Sequence, residues 1–504
     1  MSRIEQADLS QGAQAARAEE AAGASATAGA DASRENTASA SAGQEDAAGA
    51  VPVRVAVIGY GTAGVNALIA LRRAGYAGDV HVFSDATTLP YSPILTSYYA
   101  GGEKAYEECF PWSADELACL GAEVHLDCPV TALDPTAHLI RTPQGDFTYE
   151  KCLIASGAHP STAGFPATEG YEPLVLRTLD DACRLKRVLE GGACRRVLVS
   201  GASMVALKSL EACLRHDVTC TLVGMNPHVL DFNALPAAAE RFERGLAAKG
   251  VELRLGQTIK SVEVASAEDT RDAVANDAST ANASSCSVDT ADANGMNTGA
   301  AAAAISGTAA PGKLTVTFST GEADRFDEVI VAHGVRSNLG FLPQGALEAD
   351  RALLVDEFMR TSDPDVYAAG DVAQALELVS GERRVVGIWK SAALQGACAG
   401  AAMAAELAGG APEAADAYPG SIPTNTIAVL GTLFISAGSV EACEGRRVEV
   451  REDDDMTVVY VYEDADDGGE RLVGFNVTCD EDVAGSRAYD TGAMLTLRIE
   501  AACR

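Results

Sequence analysis

Apolar positions along the chain follow two alternating rhythms. The short runs "VRVAVIGYG", "DVHVFS", "RRVLVSG", "VTCTLVG" and "DEVIVAHG" are rich in β-branched residues and read as buried strands. Between them, "AGVNALIALRRAG" and "MVALKSLEACLRHD" carry apolar residues three and four apart, the period of an amphipathic helix. Strands that alternate with helices predict a parallel sheet covered by helices, and the alternation occurs twice. After Pro419 the rhythm changes. "RRVEVRED", "TVVYVYED" and "RLVGFNVTC" run between turn signals, and "SRAYDTGAMLTLRI" follows as a helix. That order predicts a small antiparallel α+β unit.

Two stretches break the pattern. Residues 1–51 are Ala, Ser, Gly, Glu and Gln with no aromatic residue. Such a segment buries too little surface to offset its ordering entropy, so disorder is expected. A second low-complexity block, 267–313, interrupts the strand-like runs "IKSVEVA" and "KLTVTFS". It reads as a long loop joining two adjacent strands, because closure entropy grows slowly with length.

Composition narrows the picture. A chain of 504 residues with 47% hydrophobic content is globular and long enough for two to four domains. No apolar run reaches the ~20 residues of a membrane span, and the first residues lack a secretory signal, so the expected compartment is the cytoplasm. The net charge of −33 opposes binding to nucleic acid or anionic lipid. It serves solubility, or it steers a basic partner protein. The 13 cysteines include no C-x-x-C pair, and the seven histidines are scattered, so no metal site is expected and the thiols read as reduced and mostly buried.

The chemistry concentrates in two loops. "VIGYGTAGVNAL" has the full G-x-G-x-x-G fingerprint at Gly59, Gly61 and Gly64, with Thr62 and Ala63 opening the helix. The three glycines serve the tight turn, the approach of a pyrophosphate and close helix–strand packing. Asp85, at the end of the next strand, is the acid expected on a ribose hydroxyl. In the second loop, "VSGASMVAL", Gly201 is kept, but Ser203 and Ala206 replace the other glycines and Met204 opens the helix. Ala is admitted at the third position, and a serine hydroxyl can donate to a phosphate oxygen, so the loop is altered without being disabled.

With these motifs the chain resembles the two-dinucleotide-fold flavoproteins, the pyridine nucleotide-disulfide oxidoreductases. Four motifs carry the resemblance in the family's order: the first loop, "LIASGAHP" at Ala155, Ser156 and Gly157, the second loop, and "TSDPDVYAAGDVA" with Gly370 and Asp371. The resemblance implies FAD on the first loop, with Asp371 on its ribityl chain and Val130 also at the FAD site. It implies a nicotinamide nucleotide on the second loop, closed by "VIVAHGVRSN" with Gly334. His333 lies in that last strand but is not assigned as a base. The implied fold is α/β, with two Rossmann-like domains and a small α+β C-terminal domain. The FAD domain is discontinuous (52–165 and 334–412), the nicotinamide domain is 166–333, and 413–504 is an interface domain able to pair two copies.

No cysteine lies between Gly59 and Tyr106, so the resemblance is to the branch without a redox-active disulfide, that of ferredoxin and rubredoxin reductases and NADH-dependent nitrite reductase. A peroxide- or oxygen-reducing enzyme is disfavoured by the same absence. In that branch "GIWKSAALQG" places an aromatic and a helix N-terminus at the flavin, here Trp389 and Lys390; ordinary packing of Trp389 is the competing reading. The family's Glu past the second loop is Lys208 here, and its partner Lys aligns with Tyr98. Lys208 is therefore either a positive charge near the flavin or a solvent-facing lysine. Gly224 stands where an acid would hold the ribose of NAD, and no arginine follows for a 2′-phosphate, which favours NADH over NADPH and weakens both. The implied function is transfer of a hydride from NADH to FAD and of electrons onward to a protein or small-molecule acceptor. The alternative is an FAD-holding electron-transfer subunit or scaffold that no longer binds NAD(P)H.

Overall fold

The computed structural model describes residues 49–264, 313–441, 443–465 and 468–503. The N-terminal stretch up to 48 and the insertion apart from Lys313 lie outside the described residues.

Strand β1 (Val51–Ile58), helix α1 (Thr62–Arg73) and strand β2 (Val80–Phe83) form a parallel strand–helix–strand unit, with Val55 opposite Val80. Strand β3 (Glu123–His125) extends the edge parallel to β2. On the other side of β1 lies Gly145–Ile154, which continues antiparallel through Leu139–Thr142 to Ala132–Asp134. The seventh strand, Val366–Ala368, comes from far along the chain and pairs parallel with Gly145–Ile154, so this sheet is discontinuous in sequence as expected.

The second sheet has four parallel strands. Strand β4 (Arg196–Ser200), helix α2 (Met204–Leu214) and strand β5 (Thr219–Gly224) repeat the strand–turn–helix–strand unit, joined by Glu252–Leu255 and Glu328–Val331. The runs flanking the insertion, Ile259–Val264 and Leu314–Phe318, pair antiparallel as expected.

The chain then returns to the first sheet through helix α3 (Trp389–Leu407), which lies on α1. Two glycines make that contact possible. A β-carbon on Gly396 would sit 2.1 Å from the Ala63 carbonyl oxygen, and one on Gly400 would sit 2.3 Å from that of Ala67. Gly396→Ala is therefore expected to lower stability by roughly 1–3 kcal/mol, measured by denaturant unfolding, because the two backbones must part.

The C-terminal unit is a five-stranded antiparallel sheet with helix α4 (Glu481–Cys503) on one face. A β-carbon on Gly492 of α4 would lie 3.1 Å from Ile435. Phe434, pointing to the opposite face, meets Phe242 of the helix Pro236–Ala248 edge-on at 6.4 Å. One hydrophobic cluster thus runs from the second sheet into the C-terminal sheet. Two strands of this sheet, Thr424–Val429 and Thr432–Gly438, were not among the expected ones. Among the described residues no helix is long and apolar enough to cross a membrane.

Candidate dinucleotide sites and their junction

The first loop is built as the fingerprint requires. Gly59 has φ +109, and its N–H bonds the Phe83 carbonyl at 2.8 Å. A β-carbon there would lie 2.2 Å from the Ala155 carbonyl oxygen, so Gly59 and the Ala155–Gly157 crossover touch backbone to backbone. A β-carbon on Gly64 would lie 2.3 Å from the Gly59 carbonyl oxygen. Gly61 differs. It is the N-cap of α1, no side chain caps the helix, and a β-carbon there meets nothing within 4 Å. Gly157, with φ +68, also faces open space. Free helix N–H groups beside an open glycine are what a pyrophosphate needs. Asp85 follows β2 with its side chain exposed, as a ribose ligand would be. Val130 is half-buried against the same core. These residues fit the ADP half of FAD.

At the other end of this domain, the Gly370 N–H donates to Gln395 Oε1 of α3 at 2.7 Å. The Asp371 carboxylate, however, is not free. Arg177 Nη2 lies 2.5 Å from its Oδ2, and Arg177 Nε donates to the Ala158 carbonyl at 3.2 Å. One Asp371 oxygen is left for a sugar hydroxyl. Arg177 was not among the expected residues. The first turn of α3 has no side-chain cap, Lys390 is exposed, and Trp389 stacks on Trp112 with centroids 5.8 Å apart. These two are the only tryptophans in the chain, so Trp389 is neither deep core nor alone.

The second loop keeps the turn and changes the cap. Gly201 has φ +121, and a β-carbon there would lie 2.4 Å from the Ala332 carbonyl oxygen. The Ser203 hydroxyl accepts from the Ala206 N–H and donates to the Ala332 carbonyl, both at 3.4 Å. In this structure it caps the helix. Ala206 is buried, Met204 is half-buried, and Gly334, with φ +84, faces open space. At Gly224 a β-carbon would lie 3.0 Å from that of Ala202, so the place of the ribose acid is closed by packing. His333 is spoken for: its Nδ1–H donates to the Ala163 carbonyl at 2.9 Å, and its Nε2 accepts from the Ser200 hydroxyl at 2.9 Å.

Lys208 marks the junction. Its ammonium pairs with Glu211 one turn on and lies 3.9 Å from the centroid of the Tyr98 ring. Lys208 and Tyr98 are thus in contact, a cation–π pair beside the ion pair with Glu211. Lys208 is not solvent-facing, since its side chain is only 11% exposed. Cys109 is fully buried, and burial pushes its thiol up to about 11.

The fold and the first loop together define a flavoprotein reductase with two dinucleotide domains. The family model for pyridine nucleotide-disulphide oxidoreductases matches residues 53–291 and 280–396, and the chain belongs to that family. The NADH-dependent phenylglyoxylate dehydrogenase subunit epsilon of Aromatoleum evansii is 27% identical over 399 residues, 79% of this chain and 82% of that protein. The rubredoxin-NAD(+) reductase of Ectopseudomonas oleovorans is 26% identical over 328 residues, 64% and 72% of the two. Among solved structures, the reductase in the covalent putidaredoxin reductase–putidaredoxin complex superposes with a TM-score of 0.67 at 20% identity, covering 88% of this chain and 93% of that one. The water-forming NADH oxidase from Lactobacillus brevis gives 0.71 at 20% identity, covering 88% and 91%. The chain is an FAD-dependent NAD(P)H oxidoreductase of the ferredoxin/rubredoxin-reductase type, without a redox-active disulfide.

Proposed function

We propose that the chain takes hydride from NADH in preference to NADPH and hands electrons to a partner protein. The observation that carries this reading is the retained turn at Gly201 beside a strand end with no arginine for a 2′-phosphate. Flavin, when bound, supplies two-electron entry and one-electron exit. The residues of this chain position it. Gly59, Gly61, Thr62, Ala63, Gly64 and Asp85 hold the adenosine and phosphate end, while Ala155, Ser156, Gly157, Gly370 and Asp371 hold the ribityl end. The free N-terminus of α3 favours negative charge at the flavin ring. Gly201, Ser203, Met204, Ala206 and Gly334 form the nicotinamide side, and Lys208 is the cation at the junction. A protein acceptor is supported by the lack of cysteine between Gly59 and Tyr106 and by relatives named as rubredoxin reductases and as a dehydrogenase subunit. A cytoplasmic setting agrees with the free state of the described cysteines.

Gly224 favours a second reading, an FAD-holding subunit that receives electrons only from a partner. Anaerobic stopped-flow of the FAD-loaded protein separates the two. We expect NADH to bleach the flavin band at least roughly tenfold faster than NADPH at equal concentration, a difference of about 1.4 kcal/mol. If neither nucleotide bleaches a flavin that dithionite reduces, the second reading stands.

A further inference from the structure

The scattered histidines of the sequence are not all scattered in space. His81 on β2 stands opposite Glu123 on β3, and Phe83 stands opposite His125, so all four side chains share one face of the sheet. His81 Nδ1 lies 3.0 Å from His125 Nε2. The Glu123 carboxylate lies 3.7 Å from His125 Nε2 through one oxygen and 3.7 Å from His81 Nε2 through the other. One ligand atom from each residue lies within 4.8 Å of the others. The ligand atoms of a tetrahedral zinc, each about 2.0–2.1 Å from the metal, stand about 3.3 Å apart. His81 meets His125 through Nδ1 and Glu123 through Nε2, so a single ion would need a side chain to turn and the three ligand atoms to close by up to about 1.5 Å.

The rings are already held. His125 stacks on Phe83 with centroids 4.9 Å apart and planes 7° apart, and on His81 at 5.2 Å and 19°. Phe147 closes the edge against Phe83 at 4.8 Å. Both imidazoles are nearly buried, with side chains 11% and 13% exposed, whereas Glu123 is 66% exposed. The carboxylate thus marks a solvent entry and leaves room for water as a fourth ligand. The second cluster of this kind, His138 with Asp363 and Asp365, lacks this character, because the Lys151 ammonium already sits 2.7 Å from Asp365.

We propose that His81, Glu123 and His125 bind one divalent late first-row metal ion, with zinc as the reference case. Two imidazoles and one carboxylate suit such ions rather than magnesium or calcium, which want oxygen ligands. The ion would tie edge strand β3 to β2. The Ser84 N–H already bonds the His125 carbonyl at 3.0 Å, so the tie would also steady the segment that presents Asp85. No expectation from the sequence pointed here, because the two histidines are 44 residues apart.

Titration of the FAD-loaded full chain with Co²⁺ tests the proposal. We expect one equivalent to bind with ligand-field bands but no thiolate charge-transfer band, to be displaced by Zn²⁺, and to raise the melting temperature reversibly on addition and removal of chelator. Glu123→Gln changes an exposed side chain and should leave the metal-free melting temperature unchanged. It should weaken Co²⁺ binding by more than roughly tenfold, since even outer-shell partners cost that much. His125→Asn should abolish binding. Unchanged affinity in Glu123→Gln overturns the proposal, even if His125→Asn does not fold. So does a bound Co²⁺ with a thiolate band, which places the metal on cysteines, and so does wild-type protein that takes up no Co²⁺.

Discussion

Gly61→Val is expected to weaken FAD binding about a thousandfold while leaving the polypeptide fold unchanged. The three glycines of the first loop look equivalent in sequence, but they do different things. Gly59 lies at φ +109, and a β-carbon there meets the Ala155 carbonyl at 2.2 Å. A β-carbon on Gly64 meets the Gly59 carbonyl at 2.3 Å. Substitution at either breaks protein against protein. Gly61 lies at φ −87, a value any L-residue adopts, and its β-carbon meets no protein atom within 4 Å. The space beside it is bounded by the uncapped N–H groups of α1, so a valine there would occupy what the pyrophosphate needs. Affinity for FAD should fall by a factor of about 10³, equivalent to about 4 kcal/mol, measured by flavin fluorescence titration. The cofactor-free protein should unfold within about 0.5 kcal/mol of wild type, as substitutions that touch nothing usually do. The FAD-loaded melting point should fall only because the ligand no longer binds the native state. Wild-type affinity for FAD in this variant would mean the turn does not cradle phosphate.

The parts of this molecule that were legible in the sequence are those whose causes are local. The first loop and the alternation of strand and helix rest on neighbours in the chain, and the pairing across the 267–313 insertion rests on the strand patterns at its two ends. What was missed depends on distant partners. Arg177 and Asp371 meet across 194 residues, and no spacing announces them. Trp112 stacks on Trp389 from a distant part of the chain. The hairpin Thr424–Gly438 is the most instructive miss. Its two-residue turn is Leu430–Gly431, with Val429 opposite Thr432 and φ values of +53 and +81. Such turns are usually announced by Asn-Gly or Asp-Gly, because a left-handed leucine costs on the order of 1–2 kcal/mol. The structure holds that leucine from outside: its N–H donates to Glu211 Oε1 of α2 at 2.9 Å, and its side chain is half-buried against the core shared by the second and C-terminal sheets. A turn imposed by a neighbouring domain leaves no mark in its own sequence.

The same Glu211 makes Lys208→Met the second variant with a large expected effect. Glu211 is 5% exposed and faces three donors: the Lys208 ammonium, the Leu430 N–H, and Arg215 at 3.6 Å. Removing the ammonium leaves a nearly buried carboxylate with one distant guanidinium and one amide. Breaking a buried pair from one side costs about 3 kcal/mol, because the remaining charge keeps its desolvation penalty. The loss should appear in denaturant unfolding as a lower midpoint. Lys208→Met with Glu211→Gln should recover most of it, since a glutamine oxygen still accepts the Leu430 N–H without a charge to compensate. Flavin reduction reads the other role of the lysine. If its charge over Tyr98 assists hydride arrival, NADH should reduce the flavin about tenfold more slowly in both variants, a modest loss because Glu211 already compensates part of the field. Stability would then return in the double variant while the rate would not. A double variant that regains both stability and the wild-type rate would show that Lys208 is only a tie between the second domain and the hairpin at Leu430, and that hydride transfer proceeds without its charge.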